Sequence, residues 1–318
     1  MKIAFHSNQL SLRGTETAMY DYAHYNEVLL GNQSIIVTPR QAPGHHELSA
    51  QRFASRFSVY GYDNLDELER LLQAEHVDTL YCIKAGFNDG IIAKETRTVV
   101  HSVFGYCEPH GAVYAYVSPW LSRFASEGKH PAVPHIVTIP EATGDLRQEL
   151  GIPGDAIVFG RHGGSDSFDV QFAHVAIQEI AKHRDDIYFL FLGTNQFCEA
   201  HPRIIHLPAT ADVEQKTRFI YSCDAMLHAR LSGETFGLAI AEFSALNKPI
   251  ITYDASHERA HIEILGERGF YYSDVATLTS LLWTFTPQPS RNWRVYSTEF
   301  PPEKVMKIFK EVFLESAL

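Results

Sequence analysis

Cysteine is scarce in this sequence and stands far apart. There are four in 318 residues, Cys82, Cys107, Cys198 and Cys223, with no C-x-x-C pair. That spacing argues against a disulfide framework or a zinc site and fits free thiols in a reducing compartment. Long hydrophobic runs are missing too. Stretches such as Ile187 to Leu192 reach strand length and fall far short of the ~20 residues a membrane-spanning helix needs. The opening Met1-Lys2-Ile3-Ala4-Phe5-His6 holds too short an apolar run for a signal peptide. A soluble, cytoplasmic protein with no indicated membrane association is expected. Basic charge is in deficit, with 27 Lys and Arg against 38 Asp and Glu and a net charge of −11. A general nucleic-acid or anionic-membrane binder needs an electropositive face and is disfavoured, although a local basic pocket for a phosphate is compatible with this balance. Several chemical signatures are also lacking. No Asp-x-Asp occurs, so a metal-bridged diphosphate is not expected. No Gly-x-Ser-x-Gly, no Walker lysine motif and no Gly-x-Gly-x-x-Gly after the first strand appear either, which speaks against a serine hydrolase, a P-loop enzyme and a dinucleotide oxidoreductase.

What is present is the balance of a folded globular protein, 45% hydrophobic and 20% charged residues, long enough for two domains of about 150 residues each. Short apolar runs alternate with helical patterns from end to end. The clearest strands are Lys2–His6, Ser34–Thr38, Thr79–Ile83, Thr98–His101, Ala156–Gly160, Ile187–Leu192, Ala225–His228 and Pro249–Thr252. Between them Leu65, Leu68, Leu71 and Leu72 fall at helical spacing and predict one buried stripe. Strand and helix in alternation imply α/β architecture with parallel sheets covered on both faces. Gly and Pro cluster from Pro140 to Asp155, and a second loose stretch runs from Thr286 to Pro302. The expectation is two doubly wound Rossmann-like domains, 1–143 and 144–300, facing a cleft, with a terminal helix over 301–318. Ligands in such folds sit at the carboxyl ends of the strands.

The most informative stretch runs from Asp224 to Phe243. A strand ends near His228, a turn holding Arg230 and Gly233 follows, and a helix opens around Phe236-Gly237-Leu238. The first amides of a helix have no intrahelical partner and carry the positive end of its dipole, so they suit a diphosphate. Glu234 precedes the opening and Glu242 lies eight positions on. If both were helical they would be about 80° apart around the axis and roughly 12 Å apart along it, able to address two points of one elongated ligand. Carboxylates accept hydrogen bonds from vicinal hydroxyls, which fits a sugar and a ribose bracketing a diphosphate. The plainer reading is a charged first-turn residue and a solvated helix residue. A second constellation, Phe159-Gly160-Arg161-His162-Gly163-Gly164, follows a buried strand, and the planar fork of Arg161 is suited to phosphate.

The order Ser232-x-Glu234-Thr235-Phe236-Gly237-Leu238, seven residues from Glu234 to Glu242, then Lys248-Pro249-Ile250-Ile251 resembles the retaining glycosyltransferases of the GT-B fold. That resemblance places Glu234 against the donor sugar, Glu242 at the ribose and Arg161 with Gly163 and Gly164 on the donor phosphates. It also implies a lysine a few residues after Arg161, where this chain reads Ser165-Asp166-Ser167-Phe168-Asp169; Arg230 is then the candidate replacement. In the N-terminal half, Ser11-Leu12-Arg13-Gly14-Thr15-Glu16 resembles the family's glycine-rich loop, with Gly14 and Thr15 near the donor, or Thr15 serving only as a helix cap. Val99-Val100-His101-Ser102 resembles a strand-end histidine facing the donor sugar, with His110 as a rival. Tyr116-Val117-Ser118-Pro119-Trp120 resembles a strand-to-helix turn capped by its serine. The first domain is then the acceptor side, the second the donor side, and the terminal helix crosses back to the first.

The function implied is transfer of a hexosyl unit, with retention, from a nucleotide-diphosphate sugar to an unidentified acceptor. No metal and no cofactor are called for, the nucleotide sugar being a substrate. The other readings are a non-catalytic nucleotide-sugar-binding protein that kept the fold and a nucleotide-sugar 2-epimerase. Gly44-His45-His46-Glu47 lacks the i, i+4 spacing of a helical metal motif. Oligomeric state is left open.

Overall fold

The structure is a computed structural model that describes residues 1–316; the last two residues of the expected terminal segment, Ala317 and Leu318, lie outside the described residues. The chain divides into two compact units. One comprises Met1–Ile136 together with the segment from Phe300 onward, the other Val137–Glu299.

The first unit holds six strands, β1 (Lys2–His6), β2 (Gln33–Pro39), β3 (Ser58–Tyr62), β4 (Thr79–Lys84), β5 (Arg97–Ser102) and β6 (Val113–Tyr116), in the order β3-β2-β1-β4-β5-β6. All pairings are parallel. Every residue of β4 is buried, as expected of a strand covered on both faces. Helices α1 (Gly14–Val28), α2 (Glu47–Ala54), α3 (Leu65–Ala74) and α4 (Pro119–Ser126) connect the strands. Local chemistry sets their starts. Asn64 accepts from the Glu67 amide at 3.0 Å ahead of α3, and Ser118 accepts from the Leu121 amide at 3.1 Å with Pro119 opening α4. The buried stripe of α3 is narrower than its leucine spacing predicts: Leu68 and Leu72 are buried, but Leu65 at the first position is 46% exposed.

The second unit repeats the plan with β7 (Ile157–His162), β8 (Ile187–Leu192), β9 (Ile204–Leu207), β10 (Ala225–His228), the two-residue β11 (Gly233–Glu234), β12 (Ile250–Tyr253), the two-residue β13 (Glu258–Arg259) and β14 (Gly269–Tyr272). Its main sheet runs β14-β12-β10-β7-β8-β9, and β11 pairs with β13 separately. Helices α5 (Gln171–His183), α6 (Val213–Ser222), α7 (Leu238–Ala245), α8 (Ala260–Leu265), α9 (Val275–Thr284) and α10 (Val295–Glu299) belong here. Phe159, Ile177, Phe189, Phe191, Leu227 and Ile251 form part of its core.

After α10 comes α11 (Pro302–Phe309), extended by a π turn over Lys310–Leu314. Phe309 and Phe313 enter the first unit's aromatic core, their ring centroids 5.2 and 5.3 Å from Tyr81. Strand order reverses direction between β1 and β4 in one sheet and between β7 and β10 in the other. The carboxyl edge at such a reversal is where open parallel sheets leave room for a ligand. Among the described residues, no helix is long and apolar enough to cross a membrane.

Candidate functional site

Two strand ends flank the reversal in the second unit. Strand β7 finishes with Arg161 and His162, and β10 finishes with His228. The chain leaving β10 turns sharply, the Gly233 amide donating to the Arg230 carbonyl at 3.2 Å. Gly233 has φ +74°, and a Cβ there would sit 1.9 Å from the Glu258 carbonyl oxygen, so only glycine lets β11 lie against β13. Gly237, at φ 92° and ψ 65°, then redirects the backbone into α7. Tyr296 steadies this corner by donating its hydroxyl to the Phe236 carbonyl at 2.8 Å. Glu234 therefore stands outside the helix, and the separation of about 12 Å that a continuous helix would give does not apply; Gly237 breaks the helical path between the two glutamates.

Glu234 is fixed by charge. Its Oε1 accepts from His228 Nε2 at 3.2 Å and forms an ion pair with Arg230 Nη1 at 3.0 Å. Burial alone would raise its pKa, but the His228 hydrogen bond and the positive charge of Arg230 outweigh it and hold the carboxyl at about 2. Arg230 in turn is raised: burial would lower it, and the Glu234 carboxylate prevails. Arg230 thus enters the site as the partner of Glu234.

Arg161 is almost wholly enclosed. Its guanidinium donates to Thr194 Oγ1, to the Gly164 carbonyl at 2.9 Å and to Ser167 Oγ at 2.6 Å. Burial lowers its pKa to about 10, with Glu234 opposing and Arg230 adding to the fall, so it stays charged at neutral pH. Gly163 has φ +143°, and a Cβ would lie 3.1 Å from the guanidinium. Gly163 and Gly164 are both exposed beside it. The acidic stretch after this turn has a structural task. Asp169 Oδ1 accepts from the Leu231 amide at 2.7 Å and the Asp169 amide donates to the Ala229 carbonyl at 3.0 Å, tying the loop after β7 to the loop after β10.

Glu242, in α7, is buried at 8% exposure, against the picture of a solvated helix residue. Lys216 of α6 donates to its Oε1. His162 Nε2 lies 3.0 Å from its Oε2, close enough for an ion pair but out of line for a hydrogen bond. Burial would raise its pKa, and Lys216 and His162 bring it down to about 2. A carboxylate has about four lone-pair sites, so hydroxyls remain acceptable to it. Lys216 has no motif around it that announces this contact; the fold alone brings α6 beside α7. His228 and His162, by contrast, stand at visible strand ends.

Thr235 and Leu238 flank the Phe236–Gly237 corner and are half-buried. The remaining expected residues belong to the first unit. His101 is fully buried, its Nδ1 2.7 Å from the Tyr81 hydroxyl and its ring among Tyr22, His135 and Phe313. Burial lowers its pKa to about 3. Aromatic packing thus encloses the ring on the sides of Tyr22, His135 and Phe313. His110 is 7% exposed with Nδ1 2.6 Å from the Glu108 carbonyl. Gly14 opens α1; the capping position falls on Arg13 without a side-chain bond, so Thr15 lies in the first turn rather than at the cap. Glu16 is buried and accepts from Ser7 Oγ at 3.0 Å and Ser11 Oγ at 2.5 Å. His45 and His46 serve structure: His45 Nδ1 accepts from the Leu10 amide at 3.0 Å, and His46 caps α2.

Solved structures resemble this chain over nearly its whole length. HepE from Anabaena, in complex with UDP-glucose, superposes with a TM-score of 0.75 at 17% identity and covers 98% of each chain. WaaG, a glycosyltransferase involved in lipopolysaccharide biosynthesis, has a TM-score of 0.66 at 10% identity over 99% of this chain and 100% of its own. A Listeria monocytogenes protein provisionally described as a UDP-N-acetylglucosamine 2-epimerase has a TM-score of 0.63 at 13% identity over 99% and 97%. No protein-family model and no curated protein sequence matches the chain. Likeness at these identities defines the fold: two Rossmann-like units, each with a parallel six-stranded sheet, as in the GT-B class.

Proposed function

We propose that this chain is a glycosyltransferase that takes a hexosyl unit from a nucleoside-diphosphate sugar and passes it to a glycan, lipid or small-molecule acceptor. The observation that carries the reading is the gathering, at the strand-order reversal of the second unit, of ionised Glu234, ionised Glu242 and the cationic Arg161 around the opening of α7. A diphosphate is suited to the first amides of α7 and the turn Arg161-Gly163-Gly164, because both present positive potential without a bound cation. In this reading Glu234 accepts hydrogen bonds from the sugar hydroxyls and Glu242 from the ribose. Neither is a nucleophile, since each is already bound by cationic or imidazole partners that lower its basicity.

Leaving-group departure builds negative charge on the phosphate oxygen, and Arg161 with the α7 amides stabilises that charge. We assign retention: the acceptor oxygen bonds to the anomeric carbon on the face that the phosphate leaves, and its proton passes to the departing phosphate oxygen. The same reading makes the transfer metal-independent, because Arg161 and the α7 amides take the role of a cation at the diphosphate. The HepE structure in complex with UDP-glucose supports a uridine donor as the first probe.

Thermal shift with UDP, ADP, GDP and their glucose conjugates tests the reading, because a ligand bound only to the native state raises its melting temperature. A shift with one nucleoside diphosphate and its sugar, in EDTA, is expected. NMR of the released sugar or product should show the donor's anomeric configuration preserved. Donor turnover to an epimer without any acceptor would point to the epimerase reading instead, and inverted product would end the retaining assignment.

A further inference from the structure

Behind Glu234 lies a line of buried polar groups that the proposed donor site does not itself use. His228 Nε2 meets Glu234 Oε1 at 3.2 Å, and the other ring nitrogen, Nδ1, is 2.8 Å from Thr252 Oγ1. The same hydroxyl is 3.1 Å from Nε2 of His261. Sheet register makes this possible, because His228 of β10 and Thr252 of β12 are direct partners in the parallel ladder. His261 comes from α8, and its ring centroid is 5.1 Å from that of His228. Thr252 and His261 are fully buried and His228 nearly so. Tyr272 also donates to the His228 carbonyl at 2.9 Å, pinning the backbone that carries the ring.

Proton counting gives this line a direction. An ionised carboxylate only accepts, so His228 Nε2 must carry a hydrogen. If His228 is neutral, its Nδ1 is bare and accepts from the Thr252 hydroxyl. A threonine hydroxyl has one proton to give, so Thr252 Oγ1 then accepts from His261 Nε2–H. That leaves His261 Nδ1 bare, and this buried atom makes no aligned hydrogen bond among the described residues; the Glu234 backbone carbonyl lies near enough to raise the ring's pKa but is not in line with that nitrogen. The opposite arrangement, with His228 doubly protonated, would reverse Thr252 and place an N–H at His261 Nδ1 with no aligned acceptor, which is the costlier defect in a buried site. Burial likewise lowers the His261 pKa to about 3 and keeps that ring neutral.

We propose that Thr252 and His261 are positioning residues that act through His228: Glu234 sets the Nε2–H tautomer, and the hydrogen-bonded line at Nδ1 holds the ring in place, so that the Glu234 carboxylate is kept at a fixed angle for the donor sugar. The inference rests on the donor-site reading for its purpose, though the hydrogen-bonded line itself is independent of any ligand. Because the sugar is what Glu234 addresses, loosening the line affects UDP-glucose and leaves UDP alone. A purely structural role would affect both.

The test combines histidine 15N NMR on the intact chain with binding of UDP and UDP-glucose. Wild type is expected to show His228 with protonated Nε2 and bare Nδ1. Thr252→Val should leave Nε2 protonated but shift the bare Nδ1 signal by removing its hydrogen bond, and weaken UDP-glucose about tenfold while UDP stays within about twofold; Thr252→Ser, which keeps the hydroxyl, should restore both readouts. His261→Phe should behave as a milder Thr252→Val. An Nδ1–H tautomer in wild type, or an unchanged His228 signature in folded Thr252→Val, overturns the relay. If Thr252→Val fails to fold, the wild-type spectrum and Thr252→Ser still decide. Correct tautomers with no binding of either probe by wild type would count against the donor reading and against the proposed purpose of the line.

Discussion

Replacing Glu242 by glutamine isolates the buried charge cluster on α7. The side chains of Lys216 and Glu242 are 17% and 10% exposed, so solvent screens the pair only weakly. Holding the carboxyl at about 2 rather than its ordinary 4.5 corresponds to about 3 kcal/mol of stability at neutral pH. The sign is that of a depressed acid. The contribution is fully present above pH 4.5 and disappears as pH falls toward 2. Glu242→Gln removes it and strands the Lys216 ammonium, so a loss of about 3 kcal/mol is expected at pH 7.5. For a unit of this size that lowers the melting temperature by about 6–12 °C. Lys216→Met placed on top of Glu242→Gln should recover part of the loss, because the uncompensated charge goes with it. Calorimetric melting of wild type, both single variants and the double variant at pH 7.5 and pH 4 reads all of this. A Glu242→Gln protein that melts like wild type at pH 7.5, or a double variant no better than the single, would refute the reasoning.

Arg161→Met should weaken UDP binding by about 10- to 100-fold, the range set by charge-assisted hydrogen bonds; titration calorimetry finding less than a twofold change would remove Arg161 from the phosphate role. Gly233→Ala, with a Cβ 1.9 Å from the Glu258 carbonyl, should cost about 3 kcal/mol or more and part β11 from β13, seen as faster proteolysis between Arg230 and Arg259; an unaltered digestion pattern and melting point would contradict this. Burial, with the Glu234 charge adding and Arg230 opposing, pushes the Glu258 carboxyl up to about 7. A raised acid destabilises the fold as pH rises from about 4.5 through 7, so Glu258→Gln should melt higher than wild type at pH 8 and converge with it near pH 5. Parallel melting curves across that range would show that Glu258 is not perturbed.

Much of the scaffold is written in local pattern. Lys2–His6, Ile187–Leu192 and Ala225–His228 are apolar runs of strand length that end where their turns begin. Strands β3 and β9 escape such a reading: Ser58-Val59-Tyr60-Gly61-Tyr62 and Ile204-Ile205-His206-Leu207 sit at the sheet edges, partly exposed, and lack a continuous buried run. The two-residue strands β11 and β13 exist only because Gly233 admits a close approach that sequence spacing does not disclose. Within the site, the opening of α7 was legible from Phe236-Gly237-Leu238, while the break at Gly237 that takes Glu234 off the helix depends on a backbone angle. Lys216 and Thr252 were illegible for a simpler reason. Their importance arises from contacts across 26 and 24 positions of chain, and residue type alone marks neither. His101 is half legible: its place at a strand end shows in sequence, while its packing against Tyr81 and Phe313 does not.

A crystal structure with UDP-glucose bound addresses the central claim most directly. The account predicts the diphosphate against the Arg161–Gly164 turn and the first amides of α7, hexose hydroxyls on Glu234 and ribose hydroxyls on Glu242. Density for the nucleotide elsewhere, or a bound donor that touches neither carboxylate, would contradict it.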